Sequence, residues 1–164
     1  VASRFNNQMG EVLVLPQAEL QEDTKYVPGV DGHKMSKSRG NIINIFLPEK
    51  ELKKQVMSIE SDSKSLEEPK DPSTDKTFAI YELIATPEQT EELRAKYVAG
   101  NFGYGHAKKE LLDLILTRFE KERELFSYYM SNLDELEAKL QEGGVKTRAI
   151  ATETIKRVRE SLGI

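Results

Sequence analysis

The sequence predicts a mainly helical chain that begins with the trailing edge of an α/β domain. Three observations lead to this prediction. A short apolar run closed by Pro16 covers residues 11–15, and Gly and Pro are dense between residues 28 and 40. From Pro48 onward, apolar residues recur at helical spacing. The predicted order is therefore the last part of an α/β domain, a loop, and an all-helical bundle.

Composition narrows the class of protein further. The 164 residues carry a net charge of −4; 38% are apolar, 32% are charged and none is Trp. These values favour a soluble, charge-rich protein without a membrane span. The absence of Cys and the presence of only two His disfavour a protein-built metal site and suit a reducing, cytoplasmic location. The acidic balance disfavours blanket electrostatic binding to nucleic acid, so any RNA contact should be local.

The segments before the loop are predicted from spacing. Phe5 and Met9 lie four residues apart, as in a helix, and the apolar run at residues 11–15 suits a buried strand of a parallel sheet. Residues 26–27 are a candidate second strand. Because the first residue is Val1 rather than Met, and its segment is typical of the end of a helix, we expect the chain to be part of a longer protein.

Capping signals and spacing place the first helices after the loop. Pro48 opens a helix whose inward positions are Leu52, Val56 and Ile59. Residues 61–76 are polar, contain two Pro and are predicted to form an exposed connection. A short helix then turns Phe78, Tyr81 and Ile84 inward. The next helix has the clearest start and stop, with Thr86 as N-cap, Pro87 at the first position, Gln89 completing a capping box, and Gly100 at the end.

Glycines divide the rest of the bundle. Residues 103–105 form a hinge-like turn before a long amphipathic stretch, and Gly143-Gly144 is predicted to end the helix that follows it. The predicted apolar faces comprise Leu112, Leu116, Phe119, Phe126 and Met130 in the long stretch, Leu133, Leu136 and Leu140 in the next helix, and Ala151, Ile155, Val158 and Leu162 in the last.

One short motif indicates chemistry. Lys34-Met35-Ser36-Lys37-Ser38 lies among glycines that allow close backbone approach to a ligand. Its two lysines and its serine hydroxyls can face one polyphosphate, with Met35 as the apolar peg that holds the loop down. An exposed basic turn is the simpler interpretation of a generic KxSK pattern. A chance match to the full pentapeptide, however, is on the order of one in ten thousand for a chain of this length.

The pentapeptide is the second signature of class I aminoacyl-tRNA synthetases, and its surroundings are similar to the bacterial tryptophanyl branch. The resemblance covers essentially the whole chain and corresponds to the C-terminal half of such an enzyme. Before the loop, Arg4-Phe5-Asn6, Gly10-Glu11-Val12 and Pro16 resemble both tryptophanyl and tyrosyl enzymes. The features after the loop resemble the tryptophanyl branch, and they are Ser61-Asp62-Ser63, the turn at residues 102–108, and Gly143-Gly144 with Lys146, Arg148 and Ala149.

The resemblance implies a fold, a reaction and partners. Residues 1–47 would complete a Rossmann-like α/β catalytic domain, and residues 48–164 would form the helical anticodon-binding domain. The enzyme would activate tryptophan with ATP and Mg²⁺ to tryptophanyl-adenylate and transfer it to tRNA(Trp), as a cytoplasmic homodimer with no membrane association. Lys34 and Lys37 would be catalytic, and residues 34–38 together with Lys25 would bind ATP. No resident metal site is implied.

The chain also departs from that pattern. It contains no His-x-Gly-His, the first signature of the class, so the isolated chain is expected to be inactive. Two alternatives stay open at this point. One is a fragment of a tyrosyl-tRNA synthetase, because the resemblance implies that the residues contacting the amino-acid side chain lie upstream of Val1. The other is a non-catalytic helical tRNA-binding module that retains the loop.

Several further residues are weaker candidates. His106 could cap a helix or contact RNA, but a solvated surface position is the simpler interpretation. Asp62 could orient a loop, although a turn residue needs no such role. Basic residues on the last helix could contact phosphates or form a solvated flank, since residues 104–164 are charge-balanced. Two adjacent tyrosines could stack on bases, with core packing the simpler interpretation. The basic residues are Arg148, Lys156 and Arg159, and the adjacent tyrosines are Tyr128 and Tyr129.

Overall fold

The computed structural model describes residues 1–19 and 26–164, and within them the chain is mainly helical with no β-strand. Seven helices and one turn of 3₁₀ helix follow each other along the described residues. They are α1 Ala2–Met9, the 3₁₀ turn Lys37–Arg39, α2 Glu49–Met57, α3 Lys76–Glu82, α4 Pro87–Ala99, α5 Tyr104–Arg118, α6 Glu120–Ser131 and α7 Leu133–Leu162.

The chain divides into two compact units. One combines Val1–Leu20 with Ser127–Ile164, and the other is Gln21–Phe126. In the second unit α5 packs against α2 and α3, and α3 packs against α4. The fully buried side chains at this centre include Leu52 and Val56 of α2, Leu93 and Tyr97 of α4, and Ala107 and Leu111 of α5.

Local capping chemistry sets the bounds of α4 as predicted. Thr86 accepts a hydrogen bond from the Gln89 backbone N–H at 3.3 Å, and the Gln89 side chain accepts one from the Thr86 N–H at 2.9 Å. This capping box satisfies two amides that the first helical turn leaves unpaired. At the other end Gly100 has φ +75°, and a Cβ there would meet the Glu67 carbonyl oxygen at 2.5 Å. Glycine is therefore required where the helix ends.

A buried carboxylate starts α3 and links it to α4. Asp75 is the N-cap, accepting from the Phe78 N–H at 2.8 Å and from the Tyr97 hydroxyl at 2.8 Å. Tyr97 is fully buried and packs edge-on against the Phe78 ring, 5.4 Å between ring centres. Because the Tyr97 hydroxyl donates to Asp75, the burial of this hydroxyl does not leave it without a hydrogen-bond partner.

The connection before α3 is more ordered than the prediction of an exposed linker implied. Most of its residues are exposed, but the Lys70 side chain is buried, with 3% of its surface accessible. Its ammonium group donates to the carbonyls of Ser65 at 2.8 Å, Glu68 at 2.9 Å and Leu66 at 3.3 Å. One lysine thus gathers three carbonyls of a segment that has no helix of its own.

The predicted strand at residues 11–15 is wrong. Val14 is 83% exposed, and the peptide groups of Leu13 pair with a side chain instead of a neighbouring strand. The Asn6 amide donates to the Leu13 carbonyl at 2.6 Å and accepts from the Leu13 N–H at 2.9 Å. The candidate strand at residues 26–27 is also not formed, and an isolated antiparallel bridge joins Pro28 to Lys34 instead.

The predicted helix end at Gly143-Gly144 is wrong as well. α7 continues through both glycines, and neither adopts the positive φ of a helix-terminating turn. Each glycine in a helix interior lowers the stability of the helix by about 1 kcal/mol relative to alanine, and the helical turns on either side of the pair can offset this loss. An ion pair between Lys146 and Glu142, with N and O 2.6 Å apart, spans the two glycines. The predicted single amphipathic stretch before α7 is instead interrupted at Phe119, between α5 and α6.

No helix within residues 1–19 and 26–164 is both long and apolar enough to cross a membrane.

Candidate functional site

The motif at residues 34–38 lies in a loop that is closed by backbone hydrogen bonds within the unit Gln21–Phe126. The Gly29 N–H donates to the His33 carbonyl at 2.7 Å, and the Met35 N–H donates to the Val27 carbonyl at 2.8 Å. These bonds flank the bridge between Pro28 and Lys34. The two arms of the loop are therefore held side by side, although they do not form a regular strand pair.

The Asn41 side chain cross-links the loop from inside. Asn41 is 3% exposed. Its amide nitrogen donates to the Asp31 carboxylate at 2.7 Å and lies 3.3 and 3.4 Å from the carbonyls of Lys34 and His33. Its amide oxygen accepts from the Ser36 N–H at 2.8 Å. One buried amide thus fixes peptide groups on both sides of Met35.

Gly29 makes room for this amide. A Cβ at residue 29 would lie 2.4 Å from the Asn41 amide nitrogen, closer than real Cβ contacts come. The close approach also lets the Val30 N–H donate to the Asn41 backbone carbonyl at 3.0 Å. Gly29 is needed for proximity, whereas Gly40, with φ +69°, is needed for the left-handed turn that ends the 3₁₀ helix.

Asp31 is the second polar residue of the loop. It accepts from the Asn41 amide and, at 3.0 Å, from the His33 N–H, which closes a short turn. The hydrogen bond from Asn41 is the main cause that holds the pKa of Asp31 below its usual value. Neither Asp31 nor Asn41 was predicted as a site residue. The Asp31-Gly32 pair is a turn signal in the sequence, but the burial of Asn41 has no local signal.

The chemical groups of the motif face outward from this frame. Lys34 and Lys37 are exposed, and no carboxylate among the described residues lies within ion-pair distance of either. The Ser36 and Ser38 hydroxyls are 2.8 Å apart. Two ammonium groups and two hydroxyls on one short loop can surround a polyphosphate, since all four can donate to its oxygens.

Met35 points the opposite way from the lysines. It is half-buried, packs against the hydrophobic core and borders an apolar cavity of about 280 Å³ together with Ile43, Ile80 and Phe119. This placement agrees with the predicted role as the peg that holds the loop down. A further anchor is the Val30 carbonyl, which accepts from the Glu60 N–H at 2.9 Å just beyond α2.

Lys25, predicted as an ATP contact, lies outside the described residues. Two of the weaker candidates have structural partners. The His106 ring accepts from the Gly103 N–H at 3.3 Å and so caps α5. Asp62 accepts from the Tyr104 hydroxyl, a bond that lowers the pKa of Asp62, while burial and the same bond raise the pKa of Tyr104.

The remaining candidates lie in the unit that contains α7. Arg148, Lys156 and Arg159 are exposed on this helix, and Lys156 and Arg159 border an open cavity beside Ile155. Tyr128 is exposed and donates to Glu135, so core packing is not its role. A contact between these residues and RNA stays a prediction.

Comparison with known proteins identifies the family. Residues 1–120 match the family described as tRNA synthetases class I (W and Y). The chain belongs to this family of class I aminoacyl-tRNA synthetases. The predicted resemblance to the tryptophanyl branch is confirmed, because curated relatives of the chain are tryptophan–tRNA ligases.

Relatives align over the whole chain. It is 48% identical over 165 residues to the tryptophan–tRNA ligase of Fusobacterium nucleatum and 38% identical over 164 residues to that of Rhodopirellula baltica, covering 100% of this chain and 50% and 51% of those proteins. The crystal structure of Campylobacter jejuni tryptophanyl-tRNA synthetase complexed with ADP and tryptophan superposes with a TM-score of 0.84 at 39% identity, covering 99% of this chain and 51% of that one. The chain spans about half the length of these relatives.

Proposed function

We propose that the enzyme containing this chain ligates tryptophan to its tRNA, and that residues 34–38 bind the β- and γ-phosphates of ATP. In the first step, a carboxylate oxygen of tryptophan attacks the α-phosphorus of ATP. The bond between that phosphorus and the bridging oxygen breaks, giving tryptophanyl-adenylate and pyrophosphate. In the second step, the tryptophanyl group passes to a terminal hydroxyl of tRNA and AMP leaves. ATP enters with Mg²⁺ as the substrate.

The geometry of the motif is the observation that carries the proposal. The loop is fixed by its own backbone and by Asn41, while Lys34 and Lys37 remain exposed without a described carboxylate partner. Charge grows on pyrophosphate as the phosphorus–oxygen bond breaks, and ammonium groups already in place stabilise that charge without a proton transfer. The Ser36 and Ser38 hydroxyls add donors to the same oxygens.

The choice of tryptophan over tyrosine is supported by the relatives, which are tryptophan–tRNA ligases at 38 to 48% identity. The C. jejuni relative was crystallised with ADP and tryptophan. We propose the same amino acid and nucleotide class for this enzyme, with Lys25 also contacting ATP. A homodimer, tRNA(Trp) as partner and a cytoplasmic location belong to the same proposal.

Membership of the family also suggests how the chain divides into domains. We propose that residues 1–47 complete the α/β catalytic domain of the enzyme and that residues 48–164 form its anticodon-side helical domain, with 61–76 as the connection. The chain has no His-x-Gly-His, the signature that faces the loop in this family. The 164 residues alone should therefore not catalyse tryptophan-dependent ATP–pyrophosphate exchange, because a loop without its opposing wall cannot position the reactants.

Single-turnover kinetics of the whole enzyme test the role of the lysines. Lys34→Ala and Lys37→Ala should each raise the activation free energy of adenylate formation by about 3–4 kcal/mol, which is the effect of removing one donor to a developing oxyanion. Tryptophan binding and transfer from preformed adenylate to tRNA should change far less, since pyrophosphate has left by then. Lys50→Ala, an exposed lysine on α2, is the matched control. Normal adenylate formation with impaired transfer would assign the loop to RNA instead.

A further inference from the structure

Asn41 is a buried polar side chain next to the motif to which the proposed chemistry gives no direct role. It follows the motif by three residues and sits inside the loop with 3% of its surface accessible. A side-chain amide buried to this extent must satisfy two N–H groups and one oxygen. Here all of these atoms have partners, and every partner belongs to the loop itself.

The partners are placed so that the amide controls the lysine-bearing backbone. The Asn41 nitrogen faces the carbonyls of His33 and Lys34, which are the peptide oxygens on either side of the Lys34 Cα. The Asn41 oxygen accepts from the Ser36 N–H, one residue before Lys37. The backbone direction at both lysines therefore depends on one side chain.

Only an amide meets these requirements. An aspartate at residue 41 would still accept from the Ser36 N–H, but its second oxygen would face the Asp31 carboxylate and two carbonyl oxygens. That arrangement combines a like-charge contact with two lost hydrogen bonds. The amide is also neutral, so it braces the loop without offering Lys34 or Lys37 a carboxylate that would compete with phosphate.

We propose that Asn41 is a positioning residue for adenylate formation: its amide holds the backbone of residues 33–36 so that the Lys34 and Lys37 ammonium groups address the same phosphates. This inference rests on the proposed role of the loop in ATP binding. The polar atoms of the Asn41 side chain bond to groups of the loop, and Gly29 leaves the space that this side chain occupies.

The test compares Asn41→Asp with Asn44→Asp in the whole enzyme. The two variants add the same charge three residues apart. The Asn44 side-chain oxygen accepts from the Phe46 N–H at 3.0 Å, a bond that an aspartate retains, whereas Asn41→Asp removes the hydrogen bonds that the Asn41 amide nitrogen donates. Hydrogen exchange of residues 29–41 measures how firmly the loop backbone is held, and single-turnover kinetics measure the rate of adenylate formation.

Asn41→Asp should increase exchange in residues 29–41 but not in α4 and α5, and should slow adenylate formation on the order of tenfold to 100-fold, as expected for a misplaced catalytic group. The KM for tryptophan should stay within about twofold, because the proposed role of the loop is to bind the phosphates of ATP and not the amino acid. Asn44→Asp should change neither quantity. Asp31→Asn combined with Asn41→Asp restores one donor–acceptor pair and should recover part of the lost rate.

Three results would overturn the inference: an unchanged exchange pattern in Asn41→Asp, a loosened loop with a normal rate of adenylate formation, or an equal loss in Asn44→Asp. Failure of the underlying function is distinguishable, because it would show as normal adenylate formation in Lys34→Ala and Lys37→Ala whatever Asn41 does.

Discussion

Helices α5 and α7 both carry apolar residues at helical spacing, but their surroundings differ. α5 has 15 residues and buries four of them, because α2 and α3 pack against it. α7 has 30 residues, all described, and none is buried; Ile150 on this helix is 73% exposed. Periodicity therefore identifies an apolar face, but burial depends on what lies opposite that face.

The polar side chains of the two regions differ in the same way. In the unit with α5, Lys70 and Asp75 are buried, and both bond to groups that hold neighbouring segments together. On α7 the comparable charges form exposed pairs within one helix, such as Lys146 with Glu142. Exposed pairs of this kind contribute little to stability, whereas a buried charge with several partners contributes more.

The largest difference in the free energy of unfolding should appear between Lys70→Met and Lys146→Met. Methionine keeps the apolar stem of lysine and removes the ammonium group. Lys70→Met should lower the free energy of unfolding by about 2–3 kcal/mol, because three carbonyls lose a charged donor. Lys146→Met should stay within about 0.5 kcal/mol. Urea unfolding of the 164-residue chain measures both, and equal effects would remove the contrast between the regions.

A smaller effect is expected from Tyr97→Phe, which removes the hydroxyl bonded to Asp75. The free energy of unfolding should fall by about 1–2 kcal/mol at pH 7. Burial raises the pKa of Tyr97, with nearby Asp75 adding to the rise. A folded-state pKa above the unfolded value near 10 gives stability that is complete below about pH 10 and is lost as the pH rises further.

The alkaline decrease in stability should therefore be shallower in Tyr97→Phe than in the wild type. Tyr128→Phe is the exposed counterpart beside α7. The pKa of Tyr128 is also raised, mainly by its hydrogen bond to Glu135, but its exposure to solvent should make the change in the pH profile smaller. Unfolding curves between pH 7 and pH 11 would contradict this account if the two variants behaved alike.

The smallest effect should have the opposite sign. Gly143→Ala and Gly144→Ala should each stabilise α7 by about 0.5–1 kcal/mol, because alanine loses less backbone entropy in a helix interior. A Cβ at either position meets nothing within 4 Å. Circular dichroism at 222 nm and thermal unfolding report the gain. Destabilisation by alanine would mean that the glycines form a helix-ending turn after all.

Sequence reasoning succeeded where the deciding contacts are local. The capping box of α4 joins residues three apart, so Thr86 and Gln89 reveal it directly. The motif at residues 34–38 is equally local, and it led to the correct family. Failures arose where distant partners decide. No neighbour within a few residues indicates that Asn6 pairs with Leu13, or that Asn41 lies inside the loop. The prediction for α7 failed for a different reason, because a glycine pair ends a helix only if the backbone turns there.

In the proposed mechanism, Lys34 and Lys37 act together on one pyrophosphate leaving group. A double-mutant cycle in the whole enzyme tests this directly, with single-turnover adenylate formation measured for Lys34→Ala, Lys37→Ala and the double variant. If both ammonium groups address the same phosphates, the two losses should not add, and the coupling energy should be about 0.5–3 kcal/mol. Strictly additive losses, or a rate for the double variant within about twofold of wild type, would contradict a shared phosphate site on this loop.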